Sequence, residues 1–259
     1  MEKFPQNQTP FKDSFIKSEF SDKHQGQEKL YEFKNNPNKI IRVISFDELR
    51  KDLGNNIDQI TLAGLGKKLY NELEEKYGIP VPVEYVIGKD EGGEDVVYGI
   101  TDKIINNLEN DEITPQLAEQ IEKLYISLSQ YYLDKLGRLS DDEFFLTDIS
   151  NGSQYAYGTK ANEENAKLYL IDTDLYMRND KTSFYYVVAW LIRHMTDIEE
   201  RLDKHFEIAR KNVTRIIASP PLEGLNEKEK ENIHNAINEA NNFLQGEFSE
   251  ESNNLPTGI

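Results

Sequence analysis

The sequence predicts an α+β protein with two lobes: a small antiparallel-sheet lobe that contains one helix, and a larger, mainly helical lobe. Two observations indicate this fold class. Short runs of β-branched residues separated by turn residues fill segment 28–102, and apolar residues at helical spacing dominate segment 103–245. Residues 1–27 and the acidic residues 246–259 show no sustained hydrophobic period, so we expect a flexible leader and a flexible tail.

The small lobe is predicted from two pairs of strands and one helix. Residues 29–33 and 39–45 flank a turn rich in asparagine, which indicates a hairpin. Residues 58–77 carry leucines at helical spacing and are followed by a glycine, as at many helix ends. Residues 81–87 and 96–100 flank an acidic, glycine-rich loop and form a second predicted hairpin.

The larger lobe is predicted to contain long helices. The first covers residues 114–137, where Thr114 can cap the first turn and Pro115 takes the first helical position. A continuous apolar stripe predicts one helix over residues 184–213. A similar stripe predicts a last helix over residues 226–244.

Composition excludes several classes of partner and site. The chain has 259 residues and a formal net charge of -17, which repels nucleic-acid phosphates and anionic membrane surfaces. It contains no cysteine, so disulfides and thiolate metal sites are excluded. The N-terminus lacks the apolar run of a secretory signal, and no segment approaches the roughly 18 apolar residues of a membrane span. We therefore expect a cytoplasmic protein.

Two acidic residues flank a predicted hairpin in the larger lobe, formed by residues 154–158 and 167–171. In an antiparallel hairpin the start of the first strand lies beside the end of the second, so Asp148 and Asp172 are expected at the same end. Two converging carboxylates can bind Mg²⁺ and accept a proton during phosphoryl transfer. The alternative is that Asp148 is only a turn residue and Asp172 bonds to local backbone.

The segments LTDISNGSQYAYG and YLIDTD, which carry these two acids, resemble the catalytic core of the protein-kinase-like fold. The aminoglycoside and choline phosphotransferase branch is the most similar. The resemblance covers residues 28–215 and implies a phosphotransferase that uses ATP and Mg²⁺ and acts on a hydroxyl group of a small molecule or protein. In this alignment Asp148 matches the catalytic base and Asp172 matches the metal-binding acid.

The same resemblance assigns roles to four further residues. Arg42 occupies the position of the lysine that pairs with the nucleotide phosphates, and Glu72 of the following helix would orient it. For Arg42 the alternative is a solvent-exposed surface arginine. Ser153 stands where the family has a metal-binding asparagine, and the alternatives for this role are Asn151 and Gln154. Asp102, where the fifth strand leads into the hinge, is assigned to cofactor binding.

Several positions depart from the family pattern. Leu146 stands where histidine is usual, and the glycine-rich phosphate loop is reduced to Lys23–Gln27 with a single glycine. Arginine for lysine at position 42 keeps the charge but changes reach and geometry. Two alternatives to an enzyme therefore remain: a catalytically inactive pseudokinase that acts as a binding or scaffold module, and an unrelated α+β interaction protein.

Overall fold

Alternating β-branched and aromatic residues form the N-terminal strands, and apolar stripes form the C-terminal helices. The structure is a computed structural model, and it describes residues 15–17, 30–33, 35–45, 59–89, 95–106, 113–139, 143–172 and 176–246. A small antiparallel sheet and several helices make up these residues, which confirms the predicted α+β class.

Within the described residues, the main sheet has five antiparallel strands in the order β1-β2-β3-β5-β4. The strands are β1 (Phe15–Lys17), β2 (Leu30–Phe33), β3 (Asn36–Ser45), β4 (Val83–Lys89) and β5 (Asp95–Asp102). Both predicted hairpins are confirmed, since β2 pairs with β3 and β4 pairs with β5. The apolar core of this sheet centres on the buried Ile41, Val96 and Tyr98.

Strand β1 lies inside the segment that we expected to be a flexible leader. That expectation is wrong for Phe15–Lys17, which pair in antiparallel register with β2. The neighbouring β2 has a free edge for them because β3 occupies only its other side. The rest of residues 1–27 lies outside the described residues, as does the tail beyond Gly246.

Helix α1 (Gln59–Tyr77) follows β3 and confirms the predicted helix. Its leucines bury one face, with Leu73 fully buried and Tyr70 packed against Tyr85 of β4 at a centroid distance of 5.9 Å. The helix ends at Gly78, whose φ of 67° is a left-handed conformation that glycine adopts without steric penalty.

A second, three-stranded sheet contains the predicted hairpin. Its strands are β6 (Ile105–Asn106), β8 (Tyr155–Thr159) and β9 (Lys167–Leu170), in the order β6-β8-β9. Antiparallel pairing of Tyr155 with Leu170 confirms the hairpin. Gln120 fixes β9 from one side, because its side chain accepts from the Leu168 N–H at 2.8 Å and donates to the Ala166 carbonyl at 3.1 Å.

The chain divides into two compact units. Unit 1 contains residues 1–121 and 153–178, and unit 2 contains residues 122–152 and 179–259. The β8–β9 hairpin thus belongs to unit 1, whereas the division drawn from the sequence at residues 102 and 103 placed it in the helical lobe. That division into lobes stays a prediction.

Unit 2 is built mainly from helices. It contains most of α2 (Pro115–Leu136), the short strand β7 (Phe145–Leu146) and the helices α3 (Lys181–Leu202), α4 (Glu207–Ile217) and α5 (Glu227–Gln245). The short strand β10 (Met177–Arg178) is the last element of unit 1. The helices predicted over 114–137 and 226–244 are confirmed. No helix in the described parts of the chain is long and apolar enough to cross a bilayer.

The single helix predicted over residues 184–213 is wrong, because α3 and α4 are separate helices. Asp203 ends α3 in a left-handed conformation with φ 48°, and its backbone N–H bonds to the carbonyls of Glu199 and Glu200. Glu199, only 2% exposed, then accepts the backbone N–H of Phe206 just before α4. The apolar stripe continues through this break, so periodicity alone did not indicate it.

Candidate functional site

An arginine–aspartate contact in unit 1 joins two of the predicted site residues. Arg42 lies on β3, and its Nη1 donates a hydrogen bond to the Oδ1 of Asp172. The two side chains are 18% and 27% exposed, so water screens this ion pair only in part. The residues are 130 positions apart in sequence. The predicted phosphate-contacting and metal-binding residues are therefore direct neighbours.

The backbones of Arg42 and Asp172 are each held by strand pairing. Arg42 lies opposite Gly99 of β5, a buried residue without a side chain. Asp172 follows β9, and its backbone N–H donates to the carbonyl of Gln154 at 3.2 Å, beside the bond from Ile171 to the same carbonyl at 2.9 Å. The backbone of Asp172 is thus held by the hairpin while its carboxylate is held by the sheet.

The structure contradicts the alternative interpretation of Arg42 and agrees in part with that of Asp172. Arg42 is not a solvent-exposed surface arginine, because its side chain is mostly buried and ion-paired. The Asp172 carboxylate bonds to a distant side chain, although its backbone N–H makes the local bond. Sequence analysis could not identify this pairing, since no local pattern connects β3 to the end of β9.

Ser153 and Asp172 lie at the same end of the hairpin. Ser153 is exposed in a single 3₁₀ turn, Gly152–Gln154, directly before β8. The next residue, Gln154, supplies the carbonyl that accepts the N–H of Asp172. The hairpin therefore does bring the start of its first strand to the end of its second, as predicted from the sequence.

Glu72 lies on α1 beside the fully buried Leu73, and its own side chain is partly buried. This helix packs near β4 through the contact of Tyr70 with Tyr85. The orienting role predicted for Glu72 toward Arg42 stays a prediction.

Asp102 is held by two lysines at the end of β5. Its carboxylate lies 2.5 Å from the Lys39 Nζ and 3.4 Å from the Lys160 Nζ. Burial alone would raise the pKa of Asp102, but the Lys39 hydrogen bond and the charges of both lysines outweigh it and lower the pKa. Gly99 of β5 lies opposite Arg42. Asp102 is three residues further along the same strand, a distance of about 10 Å. Its role in cofactor binding stays a prediction.

In unit 2, Asp148 lies in a turn that follows β7 and is anchored on both sides. Its own side chain is partly exposed, while Leu146 before it is fully buried and Ile149 and Ser150 after it are only 1% and 2% exposed. The Asp148 carboxylate is therefore the partly exposed group of a turn in which Leu146, Ile149 and Ser150 are buried. The proton-accepting role of Asp148 stays a prediction.

Two tyrosine side chains bind the residue before this turn through hydroxyls whose partners the sequence did not indicate. The hydroxyl of Tyr131 accepts the backbone N–H of Leu146 at 3.0 Å, and the hydroxyl of Tyr132 donates to the Leu146 carbonyl at 3.0 Å. The stripe of α2 identifies Tyr131 as a core residue, but hydrophobic periodicity says nothing about where a buried hydroxyl bonds.

Among the described residues, no group of three or more His, Asp or Glu side chains could hold a metal ion by itself. Mg²⁺ commonly uses one or two carboxylates together with phosphate oxygens and water. The metal-binding roles of Asp172 and Ser153 stay predictions.

The sequence matches no protein-family model, and no curated protein is significantly similar to it.

Proposed function

We propose that this chain is a kinase-like phosphotransferase that transfers a phosphoryl group from ATP to a hydroxyl group of a small molecule or protein. The contact between Arg42 and Asp172 carries the proposal. The resemblance assigns the first residue to the nucleotide phosphates and the second to the metal, on separate segments of sequence. The hydrogen bond between them brings both side chains to one location, which supports a shared phosphate and metal site.

The order of the elements also supports the proposal. The resemblance implies an antiparallel sheet with a single helix between its third and fourth strands, and the observed order is β1, β2, β3, α1, β4, β5. It further implies a long helix, then a hairpin that carries the metal-binding acid, then more helices. The chain continues with α2, the β8–β9 hairpin that ends at Asp172, and α3 to α5.

In this proposal each residue has a role in positioning or charge neutralisation, which dominate catalysis of phosphoryl transfer. Arg42 contacts the phosphates and Glu72 orients it. Asp172 and Ser153 would hold Mg²⁺, which would neutralise phosphate charge when bound. Asp148 accepts the proton of the acceptor hydroxyl.

Binding of the nucleotide requires the Arg42–Asp172 ion pair to separate. Arg42 would exchange the Asp172 carboxylate for a phosphate, which is also negative. Asp172 would exchange the guanidinium for the metal ion, which is also positive. The free energy needed to separate the pair opposes nucleotide binding and weakens the apparent affinity.

The same contact favours a second candidate function, an inactive pseudokinase that serves as a binding or scaffold module. The guanidinium of Arg42 already neutralises the Asp172 carboxylate. Ser153, in place of asparagine, offers a hydroxyl where the family offers an amide. A protein of this kind would bind nucleotide without turnover or would bind only a protein partner.

A thermal-shift assay with ATP and Mg²⁺ tests the nucleotide site. Ligand at about 100 times its Kd stabilises a protein by about 2.7 kcal/mol, so the Tm should rise measurably. Absence of a shift at millimolar ATP would remove the enzyme and any nucleotide-binding scaffold together, leaving a scaffold that binds only a protein partner or an unrelated interaction protein.

Turnover then separates the two remaining functions. We expect Asp148→Asn to abolish ATP hydrolysis and transfer while it retains the thermal shift. Asp197→Asn, an exposed aspartate on α3, is the matched control and should keep both. A shift without any turnover in the unmodified protein would favour the scaffold.

A further inference from the structure

Both backbone polar groups of Leu146 are bound by tyrosine hydroxyls. Its N–H donates to the Tyr131 hydroxyl at 3.0 Å, and its carbonyl accepts from the Tyr132 hydroxyl at 3.0 Å. All three residues are 0% exposed. Water therefore does not compete for these two bonds, and the two hydroxyls help to hold this peptide segment in position.

The tyrosines are held in place by aromatic packing. They are adjacent on α2, so their side chains leave the helix about 100° apart and can reach different sides of one segment. Their rings meet edge to face at a centroid distance of 5.1 Å. Tyr132 also meets Phe184 at 6.0 Å, and Phe184 meets Phe145, the other residue of β7, at 5.4 Å. The hydroxyls are thus held rigidly by packed rings.

The bonds to Leu146 act on the turn that follows it. A buried peptide group that loses its partner costs about 1–3 kcal/mol, so the segment is held where the hydroxyls are. Asp148 is two residues further along, and Ile149 is buried directly after it. With Leu146 bound on one side and Ile149 packed on the other, the turn has little freedom to move the Asp148 carboxylate.

We infer that Tyr131 and Tyr132 form a hydroxyl clamp that positions the turn carrying Asp148. They are positioning residues, because they act on Asp148 through the backbone of Leu146. The catalytic consequence rests on the proposed function, whereas the positioning itself does not.

Three tyrosine-to-phenylalanine variants of the full chain test the clamp. Tyr131→Phe and Tyr132→Phe each remove one of the two hydroxyls. Tyr185→Phe is the matched control, because Tyr185 is equally buried in unit 2 and its hydroxyl has no hydrogen-bond partner. It should leave stability unchanged or slightly higher, since an unbonded buried hydroxyl is unfavourable.

Amide hydrogen exchange is the readout that does not depend on activity. We expect exchange at Leu146 to accelerate at least tenfold in Tyr131→Phe, and exchange at Asp148 and Ile149 to accelerate in both clamp variants, beyond any change at amides of α3. Tyr185→Phe should show no such local change. Equal exchange at residues 146–149 in clamp and control variants would overturn the inference.

Steady-state kinetics with ATP and an acceptor adds the catalytic readout. We expect kcat to fall about ten- to a hundredfold in either clamp variant with an unchanged KM for ATP, because misplacement of a catalytic group affects the transition state. Local exchange that accelerates without a loss of kcat would overturn the positioning of a catalytic group. If the unmodified protein shows no turnover, the proposed function fails, and accelerated exchange still supports the clamp.

Discussion

Arg42 donates a hydrogen bond to the Asp172 carboxylate and so connects the middle of the main sheet to the end of the β8–β9 hairpin. Each residue is also held through its backbone, Arg42 in the ladder with β5 and Asp172 by the Gln154 carbonyl. The backbones of both residues are therefore held in place independently of the contact between their side chains.

A double-mutant cycle with Arg42→Met and Asp172→Asn should give a coupling energy of about 1–3 kcal/mol in urea unfolding, because the pair is mostly shielded from water. The exposed pair of Lys167 and Glu163, with lysine 49% exposed, is the control and should give about 0.3–0.5 kcal/mol. A coupling energy no larger than the control would show that the contact is loose in solution.

Gly158→Ala should destabilise the protein by about 1–3 kcal/mol, because a Cβ at this position would lie 2.0 Å from the backbone oxygen of Ile105. Strand β6 must then move away from β8. Gly64→Ala, in α1 with nothing within 4 Å of the added methyl, should instead stabilise by about 0.5–1 kcal/mol. Chemical denaturation of both variants measures the difference, and equal effects would contradict the close approach of β6.

Glu199→Ala should cost about 3–5 kcal/mol of unfolding free energy. The buried carboxylate accepts the Phe206 N–H and two bonds from the Arg210 Nε, at 3.0 and 2.8 Å, so its removal leaves these donors without an acceptor. Glu200→Ala, at the exposed neighbouring position, should stay within about 0.5 kcal/mol of the unmodified protein. Similar losses in both would mean that the α3–α4 junction does not depend on Glu199.

Asp102 should make the stability of the protein depend on acid pH. Its folded pKa is below the usual 3.8, so its contribution is fully present above that value and is lost as pH falls through the lower folded pKa. Asp102→Asn should therefore be less stable at neutral pH, and the difference should shrink below pH 3.8. Urea unfolding as a function of pH measures this, with Lys39→Met expected to weaken the same dependence. If the free energy of unfolding changed with pH in the same way in the unmodified protein, Asp102→Asn and Lys39→Met, the predicted contribution of Asp102 would be contradicted.

Glu239→Gln should raise the Tm at neutral pH. One carboxylate oxygen of Glu239 is buried without a hydrogen-bond partner, and burial raises its pKa although the Arg193 charge opposes this. A raised pKa means that ionisation destabilises the fold, so the gain from glutamine should disappear as pH falls below the usual 4.5. Differential scanning calorimetry at pH 7 and pH 4 measures the change. Glu231→Gln, at an exposed position of the same helix, is the control and should show no gain. An equal Tm for Glu239→Gln and the unmodified protein at pH 7 would mean that this carboxylate is hydrated in solution.

Sequence reasoning predicted what local patterns determine. The hairpin of β8 and β9 was predicted because short apolar runs and turn residues specify strand pairing between near neighbours. The break at Asp203 was not, because the apolar stripe passes through it without interruption and a left-handed aspartate has no strong sequence signal.

In the candidate site, too, local sequence patterns predicted some features and not others. Arg42 and Asp172 were both predicted as site residues, but no contact between them was predicted. The contact with Asp172 depends on how distant strands are arranged, which no local pattern specifies. The clamp formed by Tyr131 and Tyr132 escaped prediction because apolar periodicity explains aromatic residues in a helix equally well without their hydroxyls.

Unit 1 is assembled from two separate stretches, residues 1–121 and 153–178. At about 5–20 residues per second, the ribosome adds Asp172 roughly 7–26 seconds after Arg42, which lies 130 residues earlier. The strands of the main sheet are therefore synthesised before β7 and its turn, and the β8–β9 hairpin is synthesised after them. A chain truncated anywhere between residues 121 and 153 would never acquire that carboxylate, so such fragments should be poor substitutes for the full-length protein.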